Sequence, residues 1–362
     1  MQQPWKKVFP ITTPSRSRVI NELFLSGPKS RAEISRATKL TKVTVSEAVD
    51  DLLSKGLLEE LSTSKEDRPG KPSIPVKIKR NSYGFLAVDL SEVDSWSLSV
   101  FSVGGESSST ESIPRVNSSG PELLEQLTNE LASRIESADF PIIGVGIGSP
   151  GVITREGKVI SAPNLGWENL DLRAELELAL GIPVVVENDA HLSAEAINTF
   201  SEFGKYSLVV RIAGGLGAGL VVDGQIPVGS KNAAGELGHT VVMESGLACA
   251  CGKTGCLEAY VSRKSLETKM ENPQALSEMG KMLGIAISPI VGLLNLDSVV
   301  IAVGEKHRSD DFLTAVSETI RQRTLPVSHS GLRVEYSDFA QDIVLRGAAS
   351  KIMGELLGLG RS

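Results

Sequence analysis

All three cysteines of the chain, Cys249, Cys251 and Cys256, fall in one stretch, "GHTVVMESGLACACGKTGCLEAY", and His239 stands ten residues before the first of them. Three thiols and an imidazole make the four-ligand set that a structural zinc ion takes in a tetrahedron. Cys-x-Cys keeps two thiolates close, and Gly252 and Gly255 let the backbone turn so that Cys256 can return to the same point. The spacing matches no standard finger, so on spacing alone a redox pair or inert buried thiols stay open. Glu236 and Glu258 flank the cluster, and Asn188-Asp189 closes the apolar run "GIPVVVEND". Carboxylates and amides accept and donate hydrogen bonds in pairs, as a polar ligand requires. Asn188 also fits a helix N-cap ahead of "AHLSAEAI", and Glu258 also fits a solvent-facing helical residue.

The elements that must position these residues follow from length and pattern. At 362 residues the chain is too long for one simple core and divides into two or three domains. Its 41% hydrophobic and 22% charged residues are those of a soluble globular protein. No run of about 18 uncharged apolar residues argues for a membrane span. The N-terminal "MQQPWKKVFPITTPSRSR" lacks the apolar core of a signal peptide. The expected compartment is therefore the reducing cytoplasm, where clustered cysteines hold metal or react rather than form disulfides.

Charge divides the chain. Residues 1–80 carry sixteen Lys/Arg and nine Asp/Glu, a net +7, and the rest carries −14. A basic head on an acidic body fits a nucleic-acid-binding domain joined to another module. In the head, "SRSRVINELFLSG" puts Val19, Ile20, Leu23 and Phe24 on one helical face, and Gly27-Pro28 stops it. Ser30 and Glu33 form a capping box for a short helix. Lys39-Leu40 turns, and Thr41 caps a longer helix with Val45, Val49, Leu52 and Leu53 at helical spacing, ended by Gly56. That is a helix-turn-helix, and "LLEELSTSKEDRPGKPSIPVKIK" adds two strands around a polar loop, a wing. Thr41, Lys42, Thr44 and Ser46 are placed to reach base edges in a major groove. Arg68 and Lys71, beside Pro69-Gly70, would meet a minor groove or phosphates. A protein-interaction module with merely solvated lysines is the plainer alternative.

From Tyr83 the body reads as an α/β protein of two lobes, each ending an apolar strand in a polar tip, with a cleft between them. The tips at Ser149-Pro150-Gly151 and Glu187-Asn188-Asp189 are candidate site elements, because open α/β sheets bind ligands at strand carboxyl ends.

"GIGSPGVI", "APNLGW", "VENDA", "AGGLGAGL", "GELGHT" and "CACGKTGCLEAY" occur in the order found in the ROK family of sugar kinases and repressors, which the chain resembles over roughly residues 15–350. With a winged helix in front, it resembles the repressor branch. The resemblance implies a winged helix-turn-helix at residues 1–80 joined to a two-lobed α/β domain of actin-like, ROK sugar-kinase type. The first lobe is expected at 81–190. The second, with the zinc loop, is expected at 191–362, with room for a C-terminal helix to return to the first. It assigns a structural Zn2+ to His239, Cys249, Cys251 and Cys256. It assigns a sugar or sugar-phosphate effector to Gly151, Asn164, Asn188, Asp189, Glu236, His239 and Glu258. It also implies double-stranded operator DNA as a partner, a homodimer or homotetramer, and no membrane.

The residue matching Asp189 is the base that deprotonates the sugar hydroxyl in kinases of the family. Phosphoryl transfer also needs a cradle for phosphates and metal. The family's Asp-x-Gly-Gly-Thr turn reads here Asp89-Leu90-Ser91-Glu92-Val93, without glycine and with an added carboxylate. The second loop, Ala213-Gly214-Gly215-Leu216-Gly217, lacks the kinase threonine, and Gly304-Glu305 stands where kinases have two glycines. All three departures lie on the nucleotide side. The expectation is a sugar-responsive repressor and not an enzyme, with a bifunctional kinase carrying a DNA-binding head as the alternative. Arg211 and Lys231 lie near the right loops for a phosphate, yet neither reads as a clamp.

Overall fold

The computed structural model describes residues 13–61, 74–115 and 119–359. The head begins with helices α1 (Pro14–Ser26), α2 (Arg31–Thr38) and α3 (Lys42–Ser54). Each cap follows from the sequence. Gly27 takes φ +76 after α1, Ser30 and Glu33 bond reciprocally at the start of α2, and the Thr41 hydroxyl accepts the Thr44 N–H at 3.2 Å. Val19, Ile20, Leu23, Ile34, Val45, Val49 and Leu52 are buried together. Strand Pro75–Ile78 pairs antiparallel with Leu58–Glu60 on one side. On its other side it pairs with Lys29–Ser30, a third strand too short to show in the pattern. Residues 62–73, with Arg68 and Lys71, lie outside the described residues.

The body contains two larger mixed sheets. The first runs in the order Val184–Asn188, Ile142–Ser149, Gly84–Asp89, Ser95–Ser102, Glu111–Pro114, its first three strands parallel. The second runs Leu216–Val222, Tyr206–Ile212, Ser298–Ala302, Arg333–Tyr336.

Gly144, Gly146 and Gly148 share one face of the buried strand Ile142–Ser149, since side chains alternate with period two. A Cβ at these positions would lie 2.7 Å from Ile352 Cγ1, 2.2 Å from the Ala348 carbonyl oxygen and 2.3 Å from Val344 Cγ1. The glycines therefore let helix Ile343–Leu357 lie directly on the first sheet. Gly347 does the same for helix Asp189–Phe200: a Cβ there would sit 1.9 Å from the Leu192 carbonyl oxygen. That second helix also packs on Tyr206–Ile212 and Leu216–Val222 of the other sheet. Ala87, Phe101, Leu192, Val209, Val300, Val344 and Ala348 accordingly form one core cluster spanning both sheets.

Helix Pro273–Leu294 is long and apolar enough to cross a membrane by composition, with mean hydropathy 1.3 over its best window. Its glycines press onto helix Asp310–Arg323: a Cβ at Gly280 would meet the Phe312 carbonyl oxygen at 2.3 Å. Half of that window is buried, as in a core helix.

The head is not suspended on a separate core. Its buried side chains run into Phe85, Val103, Ile352, Met353, Leu356 and Leu357 of the body as one cluster. Tyr83 closes the junction by donating its hydroxyl to the Lys55 carbonyl at 2.8 Å.

Candidate functional site

The four atoms His239 Nδ1, Cys249 Sγ, Cys251 Sγ and Cys256 Sγ come together from a short 3-10 turn (Leu237–His239), a glycine-punctuated loop and the start of helix Leu257–Tyr260. All lie within 4.8 Å of one another; Cys249 Sγ is 3.6 Å from His239 Nδ1 and Cys251 Sγ 3.7 Å from Cys256 Sγ. A tetrahedron with metal–sulfur bonds of about 2.3 Å has edges of about 3.8 Å, so the donor set fits a metal ion in both type and size. Desolvation, then the neighbouring thiols, push the Cys256 thiol up to about 11. The Lys253 backbone N–H and the other thiols draw Cys251 down. A divalent cation at the centre would hold all three as thiolates. Gly255 takes φ +77, and a Cβ there would lie 1.7 Å from the Met243 carbonyl oxygen, so only glycine brings Cys256 back to the cluster.

His239 turns Nδ1 to the thiols and Nε2 toward Glu236, 4.0 Å away. One ring thus faces the cysteine cluster and Glu236 at once. Desolvation raises the Glu236 carboxyl above its ordinary value, with Asp189 and Glu258 adding to the shift and His239 opposing it. Of the Glu236 side chain, 45% nevertheless stays open to solvent. Glu258 is half-buried rather than solvent-facing, and its Oε2 accepts the Leu216 N–H at 2.8 Å. A Cβ on Gly215 would sit 2.5 Å from that same oxygen, so the second glycine loop wraps closely around this carboxylate.

Asn188 is the N-cap of helix Asp189–Phe200. Its Oδ1 accepts from Ala190 and His191 N–H, and its Nδ2 donates to the Gly151 carbonyl at 2.9 Å. Gly151 takes φ +93, and a Cβ there would be 2.1 Å from the Ser161 carbonyl oxygen. Asn164 is exposed on the turn Pro163–Leu165, and its carbonyl accepts from Arg115 Nη1 at 3.5 Å.

Asp189 meets a partner the sequence pattern does not assign to it. Its Oδ2 accepts from Arg211 Nη1 at 3.0 Å, and the same guanidinium reaches Asp89 Oδ2 at 3.3 Å. Side-chain exposure is 12% for Arg211, 13% for Asp89 and 16% for Asp189. Desolvation works against the Arg211 charge, but the two aspartates outweigh it and hold the guanidinium above its ordinary value. Burial raises Asp89 in spite of Arg211 and Ser91. The signal for this triad is a lone arginine in the otherwise uncharged strand "YSLVVRI". Lys231 is exposed.

Sequence reasoning also misses His191. Its Nδ1 lies 3.1 Å from Glu187 Oε1 and its Nε2 2.8 Å from the Ala234 carbonyl, just before Gly235-Glu236. Lys351 of the C-terminal helix stands 3.9 Å from the other Glu187 oxygen.

In the head, Thr41 and Lys42 are exposed, whereas Thr44 and Ser46 are half-buried. The Thr44 hydroxyl is tied to that of Thr41 at 2.9 Å. Between them Val43 is 67% exposed, an apolar residue at the open start of α3 that polar pattern-matching passes over.

The family profile that matches this chain spans residues 87–353 and is that of the ROK family. The chain belongs to the ROK family. A xylose repressor from Caldicellulosiruptor bescii is 26% identical, over 91% of this chain and 92% of the relative. The crystal structure of a ROK family transcriptional regulator, homologous to E. coli MLC protein, superposes with a TM-score of 0.81 at 24% identity, covering 92% of this chain and 94% of that one. A ROK glucokinase from Streptomyces griseus, in complex with glucose and AMPPNP, superposes with a TM-score of 0.63 at 20% identity; 99% of it is covered by 74% of this chain. About a quarter of this ROK chain thus has no counterpart in the kinase, while nearly all of it has one in the regulator.

Proposed function

We propose that this ROK protein is a cytoplasmic, sugar-responsive transcriptional repressor, working as a homodimer or homotetramer on double-stranded operator DNA. Residues 1–80 form its winged helix-turn-helix, and α3 enters the major groove with Thr41, Lys42, Val43, Thr44 and Ser46 foremost. Arg68 and Lys71 meet the backbone or minor groove. The body takes a sugar between lobes 81–190 and 191–362, against Gly151, Asn164, Asn188, Asp189, Glu236, His239 and Glu258. Asn188 acts through Gly151 and the helix it caps. His239, Cys249, Cys251 and Cys256 hold a structural Zn2+, which fixes the loop between Glu236 and Glu258; with four protein ligands it has no open position for catalysis.

The observation that carries this reading is the continuous core between head and body. Helix Ile343–Leu357 lies against the helix opened by Asn188 and Asp189, and its last turns are buried with α1 and α3. A shift at the cleft therefore has a packed route to the head. Relatives named xylose repressor support the same assignment. The alternative, a sugar kinase with a DNA-binding head, keeps Asp189 in its favour. Against it stands Glu92, in the turn where kinases cradle phosphate, held 2.6 Å from Arg263 across the chain.

The test is a DNA-binding titration on sequences the protein itself enriches from a random pool, with D-xylose and D-glucose added. Binding that weakens with one sugar is the expected result. Binding indifferent to every sugar, or steady ADP release from ATP and sugar that Asp189→Asn abolishes, would overturn it.

A further inference from the structure

Arg211 is the feature of the cleft that neither the DNA-binding nor the sugar-contact reading explains. Its guanidinium bridges Asp89, at the end of a first-sheet strand, and Asp189, at the start of helix Asp189–Phe200. Every oxygen of both carboxylates has a hydrogen-bond partner within the protein. Asp189 Oδ1 accepts the Ala190 N–H at 2.9 Å, and Asp89 Oδ1 accepts the Ser91 N–H at 2.9 Å and the Ser91 hydroxyl. Arg211 takes one oxygen of each carboxylate, so a metal ion that bridged those two oxygens would have to displace it, and two charges on its own chain already claim the guanidinium. The neighbouring turn is pinned as well: Arg115 donates to the Leu90 carbonyl, and Arg263 pairs with Glu92.

We propose that Arg211 sets the class of ligand this cleft accepts. It is a built-in cation standing where a divalent metal would otherwise bridge two buried carboxylates, so the cleft takes an uncharged sugar and excludes sugar phosphates. The inference rests on the sugar-receptor reading above and names the effector class. Two buried carboxylates share the Arg211 guanidinium, so a phosphate dianion would add negative charge beside Asp89 and Asp189 while that guanidinium is already claimed. Arg, rather than Lys, suits the place because its planar fork serves two carboxylates at once.

The test is thermal melting of the full-length zinc-loaded protein with D-xylose, D-glucose, glucose 6-phosphate or MgCl2. The wild type should be stabilised by a neutral sugar, unchanged by glucose 6-phosphate and unchanged by millimolar Mg2+. Arg211→Met should gain stabilisation by Mg2+, because the two carboxylates then lack a cation, and Arg211→Lys should not. Asp89→Asn removes a carboxylate that burial already disfavours and frees one edge of the guanidinium. It should therefore fold and bind glucose 6-phosphate at least tenfold more tightly than the wild type, which tests the proposal even where Arg211→Met is unstable. A wild type that prefers glucose 6-phosphate to glucose would overturn it and point to Arg115, whose Nε has no acceptor among the described residues. A folded Arg211→Met blind to Mg2+, or an Asp89→Asn no better at holding the phosphate, would overturn it too. If no sugar stabilises the wild type, the receptor reading fails, while the Mg2+ arm still decides what Arg211 replaces.

Discussion

His191 Nε2 lies 2.8 Å from the carbonyl oxygen of Ala234, and this contact ties the helix opened by Asn188 to the loop that carries Glu236. The other ring nitrogen faces the Glu187 carboxylate at 3.1 Å. Both ring nitrogens thus face acceptors, a setting that only the doubly protonated imidazolium satisfies. Pairing with Glu187 outweighs desolvation, raising His191 above its ordinary value and lowering Glu187 below its own.

The signs of these shifts define a pH window. The His191 contribution is complete below the unfolded value of about 6.5 and is lost as pH rises through the higher folded value. The Glu187 contribution is present above about 4.3 and is lost as pH falls through the lower folded value. The pair therefore stabilises most between these limits. His191→Gln, which leaves Glu187 with Lys351 at 3.9 Å as its nearby cation, should cost about 1–3 kcal/mol near pH 6. The melting-temperature gap between wild type and variant should narrow as pH is raised towards 9. A gap that stays constant would mean that His191 is neutral in the folded protein.

Gly146→Ala should destabilise the protein although it adds one methyl group. The new carbon would lie 2.2 Å from the Ala348 carbonyl oxygen, which belongs to backbone and cannot rotate away. Overpacking of this kind costs about 1–3 kcal/mol or more. If the C-terminal helix carries the signal to the head, the variant's DNA binding should also become less responsive to sugar. Unchanged melting would contradict the close helix-on-sheet contact.

Removal of the bound metal separates a structural ion from a bystander. The purified protein should carry one zinc per chain, and Cys251→Ser or a strong chelator should abolish it and lower the melting temperature. Sugar binding should weaken at least tenfold, since the loop between Glu236 and Glu258 loses its anchor. Metal-free protein with full sugar affinity would leave the cysteines without that role.

Local elements were legible in the sequence because caps and periodicity are local. Ser30-Glu33, Thr41 and Asn188 cap the helices their types foretell, and "IIGVGIGS" reads plainly as a buried strand. Its alternating glycines even announce that something packs against one face, though not which helix. Partnerships across the chain were not legible. Arg211 meets Asp89 from 122 positions away, and His191 meets a backbone carbonyl, which leaves no residue-type signature. Asn188 shows the middle case: one residue type served both the cap and the contact reading, and the distance to Gly151 shows where its amide goes.

The exposed start of α3 gives the last prediction. Lys42 and Val43 stand side by side there, and they would act on DNA through different physics. A lysine that neutralises one phosphate releases about one counterion, so Lys42→Ala should weaken binding to all DNA sequences alike and lower the salt slope by about one. Val43 carries no charge, and its 67% exposure is unexplained by packing in the head. Against a thymine methyl it would contribute apolar contact and hence discrimination. Val43→Ser should therefore leave the salt slope unchanged while relaxing the preference at one base pair of the enriched site, by about 1–3 kcal/mol at most. Competition binding against single-base variants of that site, at two salt concentrations, separates the effects. If Val43→Ser changes neither slope nor preference, α3 does not present this face to the groove.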